Sequence, residues 1–148
     1  MHPALALAFG AVSYGIFFAS FLYLVGFLGG VAVPKSVDSG AGGPIEAAPL
    51  VNTAPLLLVG VQHSVMARPA FKRWWTRYVP HAAERSTYVL FTSVALIVMF
   101  AFWEPLGGQV WSLEGSVGTN LAWTAFAAGW LLVLIATFLI NHFDLFGL

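Results

Sequence analysis

Four long stretches of this chain contain no Asp, Glu, Lys or Arg, and they constrain the fold more than any other feature of the sequence. They cover residues 4–30, 47–67, 86–103 and 120–143. A helix needs about 20 mostly apolar residues to cross the hydrocarbon core of a bilayer. We therefore predict an all-α integral membrane bundle of four transmembrane helices, which form a single transmembrane domain over residues 1–148.

The composition supports this interpretation and excludes several other classes. The chain is 59% hydrophobic and 8% charged, whereas soluble domains are about 25% charged. The first stretch is far longer than the apolar region of a secretory signal and lacks a basic residue before it, so we expect it to be a retained span. The absence of cysteine excludes a disulfide framework and a thiolate metal site.

A basic segment, residues 68–85, separates the second span from the third. Its aromatic residues recur at the i, i+3, i+4 and i+7 positions of a helix, and its cations fall on the opposite face. This pattern predicts a short amphipathic helix lying in the membrane interface; the alternative is a basic loop that only fixes the topology. The aromatic residues are Phe71, Trp74, Trp75 and Tyr78, and the cations of the segment are Arg68, Lys72, Arg73, Arg77 and Arg85.

The uneven distribution of positive charge predicts the orientation. The loop before the second span has one cation, Lys35, and the loop before the fourth span has none. Loops rich in Lys and Arg remain in the cytoplasm, so we expect an inner (cytoplasmic) membrane protein with both termini and residues 68–85 in the cytoplasm. Membrane topology explains the basic cluster, so we expect these cations to contact lipid and expect no nucleic-acid partner.

This orientation brings titratable residues from distant parts of the sequence to one membrane face. His63 lies inside a predicted span, where an ionisable residue is a functional hypothesis by default; the alternative is an interhelical His bonded by a neighbour such as Gln62 or Ser64. At the start of the third span, Glu84 and Arg85 are candidates as well, although a helix-start carboxylate and a snorkelling Arg explain them equally. The remaining candidates are Arg68, Tyr88, His142 and Asp144.

A metal site is not predicted at this face. Residues such as His63, His81, Glu84 and His142 could supply ligands, but none has the spacing of a known metal motif. A nucleophile elbow is also absent from the sequence.

Several stretches resemble the methanethiol S-methyltransferase family, which is similar to the isoprenylcysteine carboxyl methyltransferases and to membrane proteins of the NnrU type. The longest is QHSVMARPAFKRWWTRYVPHAAERSTYVL, residues 62–90, and the others are SYGIFFASFLYLVGFLGG, VPKSVDSG and NHFDLFGL. The resemblance covers nearly the whole chain. It implies a membrane enzyme that transfers a methyl group from S-adenosylmethionine to methanethiol and forms dimethyl sulfide.

The sequence departs from the family in one respect. Members of the family carry an Arg-His-Pro segment and a Glu-Glu pair in a later half, near the cofactor, and neither occurs in this sequence. The resemblance therefore implies that the chain is the N-terminal part of such an enzyme, or a shortened relative, and that the C-terminal cofactor-binding half is a missing partner. No cofactor-binding residue is assigned.

Methyl transfer to a thiol suggests roles for the candidates. The thiolate is the nucleophile, so a base must take the thiol proton. Our hypothesis gives this role to His63 or Glu84 and makes Arg68 and Arg85 the groups that stabilise or orient the anion. Tyr88, His142 and Asp144 are candidates on the substrate side, where a small thiol would enter from the lipid.

Two other functions remain open. One is a non-catalytic membrane scaffold or partner-binding subunit, as a protein of the NnrU type would be. The other is a small transporter component. In a transporter we would expect charged residues within several spans, or paired broken helices. In this sequence His63 is the one residue that approaches that pattern.

Overall fold

A computed structural model describes residues 2–40, 47–106, 112–113 and 115–148. Within these ranges the chain is helical apart from the segments that connect the helices. Three of its helices are long and apolar enough to cross a membrane, and a bent pair makes a fourth if it is one span. This confirms the predicted all-α membrane fold. The helices are α1 (Pro3–Gly29), α2 (Ala48–Met66), α3 (Pro69–Trp75), α4 (His81–Phe102), α5 (Ser116–Ile140) and α6 (His142–Phe146).

The contacts within the chain divide it into two units, Met1–Gly107 with Phe146–Leu148, and Gly108–Leu145. The second unit contains α5, none of whose described residues is buried. Along α5 the rings of Trp123 and Phe126 meet edge to face at 5.6 Å. Asn141, with a φ of 113°, ends this helix, and Asn tolerates positive φ better than most residues. The single transmembrane domain over residues 1–148 stays a prediction.

In the first unit, α1 and α4 run parallel. Near their C-terminal ends the ring of Phe27 packs against that of Phe100, with centroids 5.1 Å apart. Near their N-terminal ends both helices meet Gly147. The Ser86 hydroxyl donates to the Gly147 carbonyl oxygen at 3.2 Å, and a Cβ added to Gly10 would lie 2.7 Å from the same oxygen. Gly147 therefore contacts both α1 and α4 near their N-terminal ends. Since Phe27 and Phe100 also meet near the C-terminal ends, the two helices run in the same direction.

Helix α2 runs antiparallel to α4. Asn52, in the first turns of α2, bonds to Glu104 just beyond the end of α4. His63, near the end of α2, bonds to Tyr88 near the start of α4. We call the end of the unit with His63 and Tyr88 the basic end, since residues 68–85 follow there, and the other the opposite end.

The helices approach closely because small polar residues line their contacts. Ser13, Ser86 and Ser93 have no exposed surface. Small residues let backbones come together in lipid, where packing rather than exclusion of water holds helices against each other. The Ser93 hydroxyl donates to the Val89 carbonyl within α4 at 2.9 Å, so this polar atom is satisfied inside its own helix. The buried apolar cluster towards the opposite end is Phe27, Leu96, Met99 and Phe100.

Helix α3 turns away from α2 by 80°. Pro69 occupies its first turn, where the missing N–H of proline is not needed. The rings predicted to share one face contact one another: Trp74 lies 5.4 Å from Phe71 and 5.7 Å from Tyr78. Trp75 also meets Phe91 of α4 edge to face at 6.3 Å. The short amphipathic helix is therefore present, and Trp75 fastens it to the bundle.

Helix α4 begins at His81, earlier than the charge-free stretch that starts at residue 86. Pro80 precedes it in an extended conformation. Glu84 lies in its first turn, where a carboxylate interacts favourably with the helix dipole. The charges of Glu84 and Arg85 thus belong to the helix rather than to the loop before it.

Candidate functional site

The imidazole of His63 and the hydroxyl of Tyr88 meet at the basic end. The Tyr88 hydroxyl oxygen lies 2.8 Å from Nδ1 and 3.1 Å from Nε2 of His63, so it faces the ring edge between the two nitrogens. A neutral imidazole has one donor and one acceptor nitrogen, and the hydroxyl can pair with either. His63 is exposed and Tyr88 is half-buried, which leaves the imidazole accessible to a ligand.

The residues beside His63 are not its partners. Gln62 donates through its side-chain nitrogen to the Met66 sulfur at 3.3 Å, one turn further along α2. Ser64 is exposed. Gln62 and Ser64 were named as possible partners of an interhelical His63. The partner that the structure shows is Tyr88 of α4, since adjacent residues of a helix point in different directions.

The carboxylate of Glu84 forms an ion pair with Lys72 of α3. The Lys72 ammonium nitrogen lies 3.3 Å from Oε1 of Glu84. The Glu84 side chain is 17% exposed and the Lys72 side chain 42%. One carboxylate oxygen is thus occupied by a cation, and the pair fastens α3 to the start of α4.

The two arginines assigned to anion binding occupy different places at this end. Arg68 is the N-cap residue of α3, at the 80° bend, and is exposed. Arg85 follows Glu84 on α4 and is exposed, directly before the buried Ser86. Their catalytic roles stay predictions.

His142 and Asp144 belong to the second unit. His142 is buried at 6% exposure; its Nδ1 lies 2.8 Å from the Thr137 hydroxyl, and its ring stacks on Phe138 at 4.2 Å. The backbone N–H of Asp144 donates to the Asn141 side-chain oxygen at 3.5 Å. Their convergence with His63 and Glu84 stays a prediction.

Sequence reasoning missed the role of Lys72. It was assigned only to the polar face of the amphipathic helix. Pro69 marks where this helix begins, but nothing in the sequence gives the 80° angle that carries that face to Glu84. The one available signal was that Lys72 stands three residues before Trp75, a spacing that puts both on one side of a helix; both side chains meet α4. In the described part of the chain, no three His, Asp or Glu side chains are placed to share a metal ion.

Comparison with known proteins gives this geometry a context. Over its whole length the chain is 48% identical to a methanethiol S-methyltransferase of Mycobacterium tuberculosis and spans 61% of that protein. It is 47% identical to a methanethiol S-methyltransferase of Crocosphaera subtropica over 96% of its own length, and it spans 56% of that protein. The chain is homologous to part of the methanethiol S-methyltransferases. This confirms the family resemblance of the central segment and its flanking stretches.

The similarity to methanethiol S-methyltransferases is closer than that to a second kind of protein. The chain is 31% identical to Nurim of Rattus norvegicus over 96% of its length and spans 58% of it. No family model matches the chain, and no solved structure matches it significantly. The chain spans between about half and three fifths of the length of the curated relatives it matches.

Proposed function

We propose that this chain forms the acceptor side of a membrane enzyme that methylates methanethiol on sulfur and releases dimethyl sulfide. The observation that carries the proposal is the contact between His63 and Tyr88, which places an accessible base between two apolar helices. The names of the relatives support it and do not favour a non-catalytic scaffold.

The reaction needs a deprotonated thiol in line with an electrophilic methyl group. The thiol gives its proton to a base, because the thiolate is the nucleophile. The new sulfur–carbon bond forms as the bond between the methyl carbon and the donor breaks, and the donor leaves with the electron pair of that bond. General base catalysis of such a step contributes about 10²–10⁴-fold, so the identity of the base is open to a kinetic test.

His63 suits this role better than Glu84. An oxygen of the Glu84 carboxylate is already bound by the Lys72 ammonium, whereas His63 is exposed and its imidazole pairs with the neutral hydroxyl of Tyr88. The Tyr88 hydroxyl holds one edge of the imidazole, which limits rotation of the ring and keeps its orientation constant. Glu84 then positions α3, and Arg68 and Arg85 attract the thiolate.

S-adenosylmethionine is the methyl donor that the family resemblance implies. Its sulfonium carries a positive charge. The basic end presents cations, and its carboxylate, Glu84, is engaged by Lys72 at 3.3 Å. These residues therefore do not fit a sulfonium. We assign the binding of the methyl donor to the part of the longer relatives that lies outside the region aligned with this chain.

The charge distribution supports a location in the inner membrane with the basic end towards the cytoplasm. Methanethiol is small and apolar and would reach His63 from the lipid, while a charged donor would approach from water. The outer surfaces of α1, α2 and α4 carry exposed apolar side chains such as Leu7, Leu57 and Ile97, as contact with lipid requires.

A chimera tests the proposal. The chain replaces the matching part of the mycobacterial relative, and dimethyl sulfide is measured in the headspace of cells supplied with methanethiol. We expect production by the chimera and a fall of about 100-fold or more in His63→Ala. The control is His81→Ala, which alters an exposed imidazole at the start of α4.

Two results would count against the proposal. A chimera that reaches the membrane in normal amount without forming dimethyl sulfide would show that the chain does not support methyl transfer. A rate in His63→Ala equal to that of His81→Ala would remove His63 as the base.

A further inference from the structure

We propose that a cavity between α1 and α4, at the opposite end, binds an anionic phospholipid, with an acyl chain in the cavity and the phosphate on Lys35. The cavity has a volume of about 420 Å³, within the range of about 300–1,000 Å³ for ligand sites. This inference does not depend on the proposed function. The lining residues used here are Ala19, Ser20, Tyr23, Lys35, Ile97 and Phe100.

The wall of the cavity offers contacts to hydrocarbon. Its two hydroxyl groups are already engaged: Ser20 donates to the Ile16 carbonyl at 2.8 Å, and Tyr23 donates to the Lys35 carbonyl at 3.2 Å. Phe100 is buried and gives the wall a fixed aromatic surface, while Ile97 at the side is 48% exposed. An acyl chain can enter from that side without stranding a polar group.

Among the described residues that line the cavity, Lys35 is the one that carries a charge. It donates to the carbonyl oxygen of Ala101 at 2.9 Å, in the last turn of α4. A lysine has three N–H donors, and in the described part of the chain no carboxylate lies within 4.0 Å of this one. A phosphate oxygen can accept from the donors that Ala101 does not use.

The depth of Lys35 agrees with that of a lipid headgroup. Helix α1 has 27 residues, which at 1.5 Å per residue is about 40 Å, longer than the ~30 Å hydrocarbon core. Its end therefore reaches the headgroup region. There the indole N–H of Trp103 donates to the Val37 carbonyl at 3.0 Å, and Trp is enriched at membrane interfaces.

A purely structural role for Lys35 makes a different prediction. Lysine can cap the last carbonyls of a helix, and the bond to Ala101 is such a contact. A capping lysine stabilises α4 equally in any lipid. A phosphate-binding lysine also makes the protein prefer an anionic lipid, because a net negative headgroup keeps its attraction to the ammonium while a choline cation opposes it.

Photolabelling in vesicles separates the two. The purified chain is reconstituted in phosphatidylcholine with a trace of either phosphatidylglycerol or phosphatidylcholine that carries a diazirine in one acyl chain, and labelled peptides are mapped. We expect phosphatidylglycerol to label the peptide containing Ile97 and Phe100 about fivefold more than phosphatidylcholine does, since a lysine near an anionic surface contributes about that factor.

The variants assign the preference to the site. Lys35→Gln keeps a donor for Ala101 but should abolish the fivefold preference, and Lys35→Arg should retain it. Ala19→Trp fills the cavity and should reduce labelling by both lipids. Lys72→Gln, at the basic end, is the matched control and should leave labelling at Ile97 and Phe100 unchanged.

Three results would overturn the inference. These are equal labelling by the two lipids in the unaltered chain, an unchanged preference in Lys35→Gln, and unchanged labelling in Ala19→Trp. If Lys35→Gln fails to fold, Ala19→Trp and the two-lipid comparison still decide, because neither removes the bond to Ala101.

Discussion

The side-chain amide of Asn52 pairs with both backbone groups of Glu104. Its nitrogen donates to the Glu104 carbonyl at 2.7 Å, and its oxygen accepts from the Glu104 N–H at 2.8 Å. Asn52 is only 4% exposed. The pair replaces the helical hydrogen bonds that the chain loses beyond Phe102, the last residue of α4, and joins the start of α2 to the end of α4.

Replacing Asn52 should therefore destabilise the bundle. Asn52→Leu keeps a branched side chain with the same number of heavy atoms but removes the partner of the part-buried N–H and C=O of Glu104, and leaving such a group unpaired costs about 1–3 kcal/mol. We expect a loss of about 2 kcal/mol or more in the free energy of unfolding, measured by denaturant titration in detergent with circular dichroism. Thr53→Val is the control, because Thr53 is exposed and its hydroxyl donates to the Pro49 carbonyl within α2. Equal losses in the two variants would contradict the prediction.

Two glycines on α1 should respond oppositely to the same substitution. A Cβ on Gly10 would lie 2.7 Å from the Gly147 oxygen, whereas a Cβ on Gly15 would meet nothing within 4 Å. Gly10→Ala should cost about 1–3 kcal/mol of stability through overpacking. Gly15→Ala should gain up to about 1 kcal/mol through helix propensity. Thermal unfolding in detergent would compare them, and the same sign in both would refute the close approach of Gly147.

The Tyr88 hydroxyl should act on the rate rather than on substrate binding. Tyr88→Phe removes the contact with His63 and retains the ring. In the chimera we expect kcat to fall about tenfold, as the loss of one orienting hydrogen bond would cause, with little change in KM for methanethiol. Tyr78→Phe, which alters a 71% exposed ring on the surface, should have no effect. A rise in KM alone would instead make Tyr88 a substrate contact.

The ion pair of Lys72 and Glu84 should contribute modestly to stability. The pair is partly exposed, and pairs of this kind couple by about 0.2–1 kcal/mol. A double-mutant cycle with Lys72→Gln and Glu84→Gln should give a coupling in this range that weakens with added salt. Arg73→Gln in place of Lys72→Gln should show none. If Glu84 rather than His63 were the base, Glu84→Gln would also lower methyl transfer by about 100-fold.

Labelling with cysteine tests the orientation. The sequence contains no cysteine, so Asp38→Cys and His81→Cys each introduce a single thiol, at exposed positions on opposite ends. A membrane-impermeant maleimide should label Asp38→Cys in intact spheroplasts and His81→Cys only after lysis. The reverse pattern would place the basic end outside the cytoplasm.

The sequence predicted the elements whose signal is local. The long apolar stretches overlap with α1, α2, α4 and α5, because the length of a span is a property of consecutive residues. The stretch 120–143 runs past the end of α5 at Ile140 into α6. The aromatic spacing from Phe71 to Tyr78 likewise predicted α3. The start of α4 was predicted too late in the sequence, because the charges of Glu84 and Arg85 interrupt the apolar stretch without interrupting the helix.

The contacts that build the candidate site could not be read in the same way. His63 was identified because an imidazole in a span is unusual, but its bond to Tyr88 depends on the antiparallel packing of α2 on α4. Lys72 meets Glu84 only through the 80° bend, and no spacing in the sequence encodes that angle. Pairings between helices depend on their relative rotation, which many residues determine together.

The bend between α2 and α3 has a consequence for access. His63 lies three residues before the end of α2, so about 4.5 Å of helix separates it from the bend, while Trp75 anchors the far end of α3 on Phe91. We expect α3 to lie along the membrane interface, as its aromatic and basic faces predict. A molecule dissolved in the bilayer would then reach the imidazole from the side of α2, and one dissolved in water would reach it past α3, so one ring would serve two phases that do not mix.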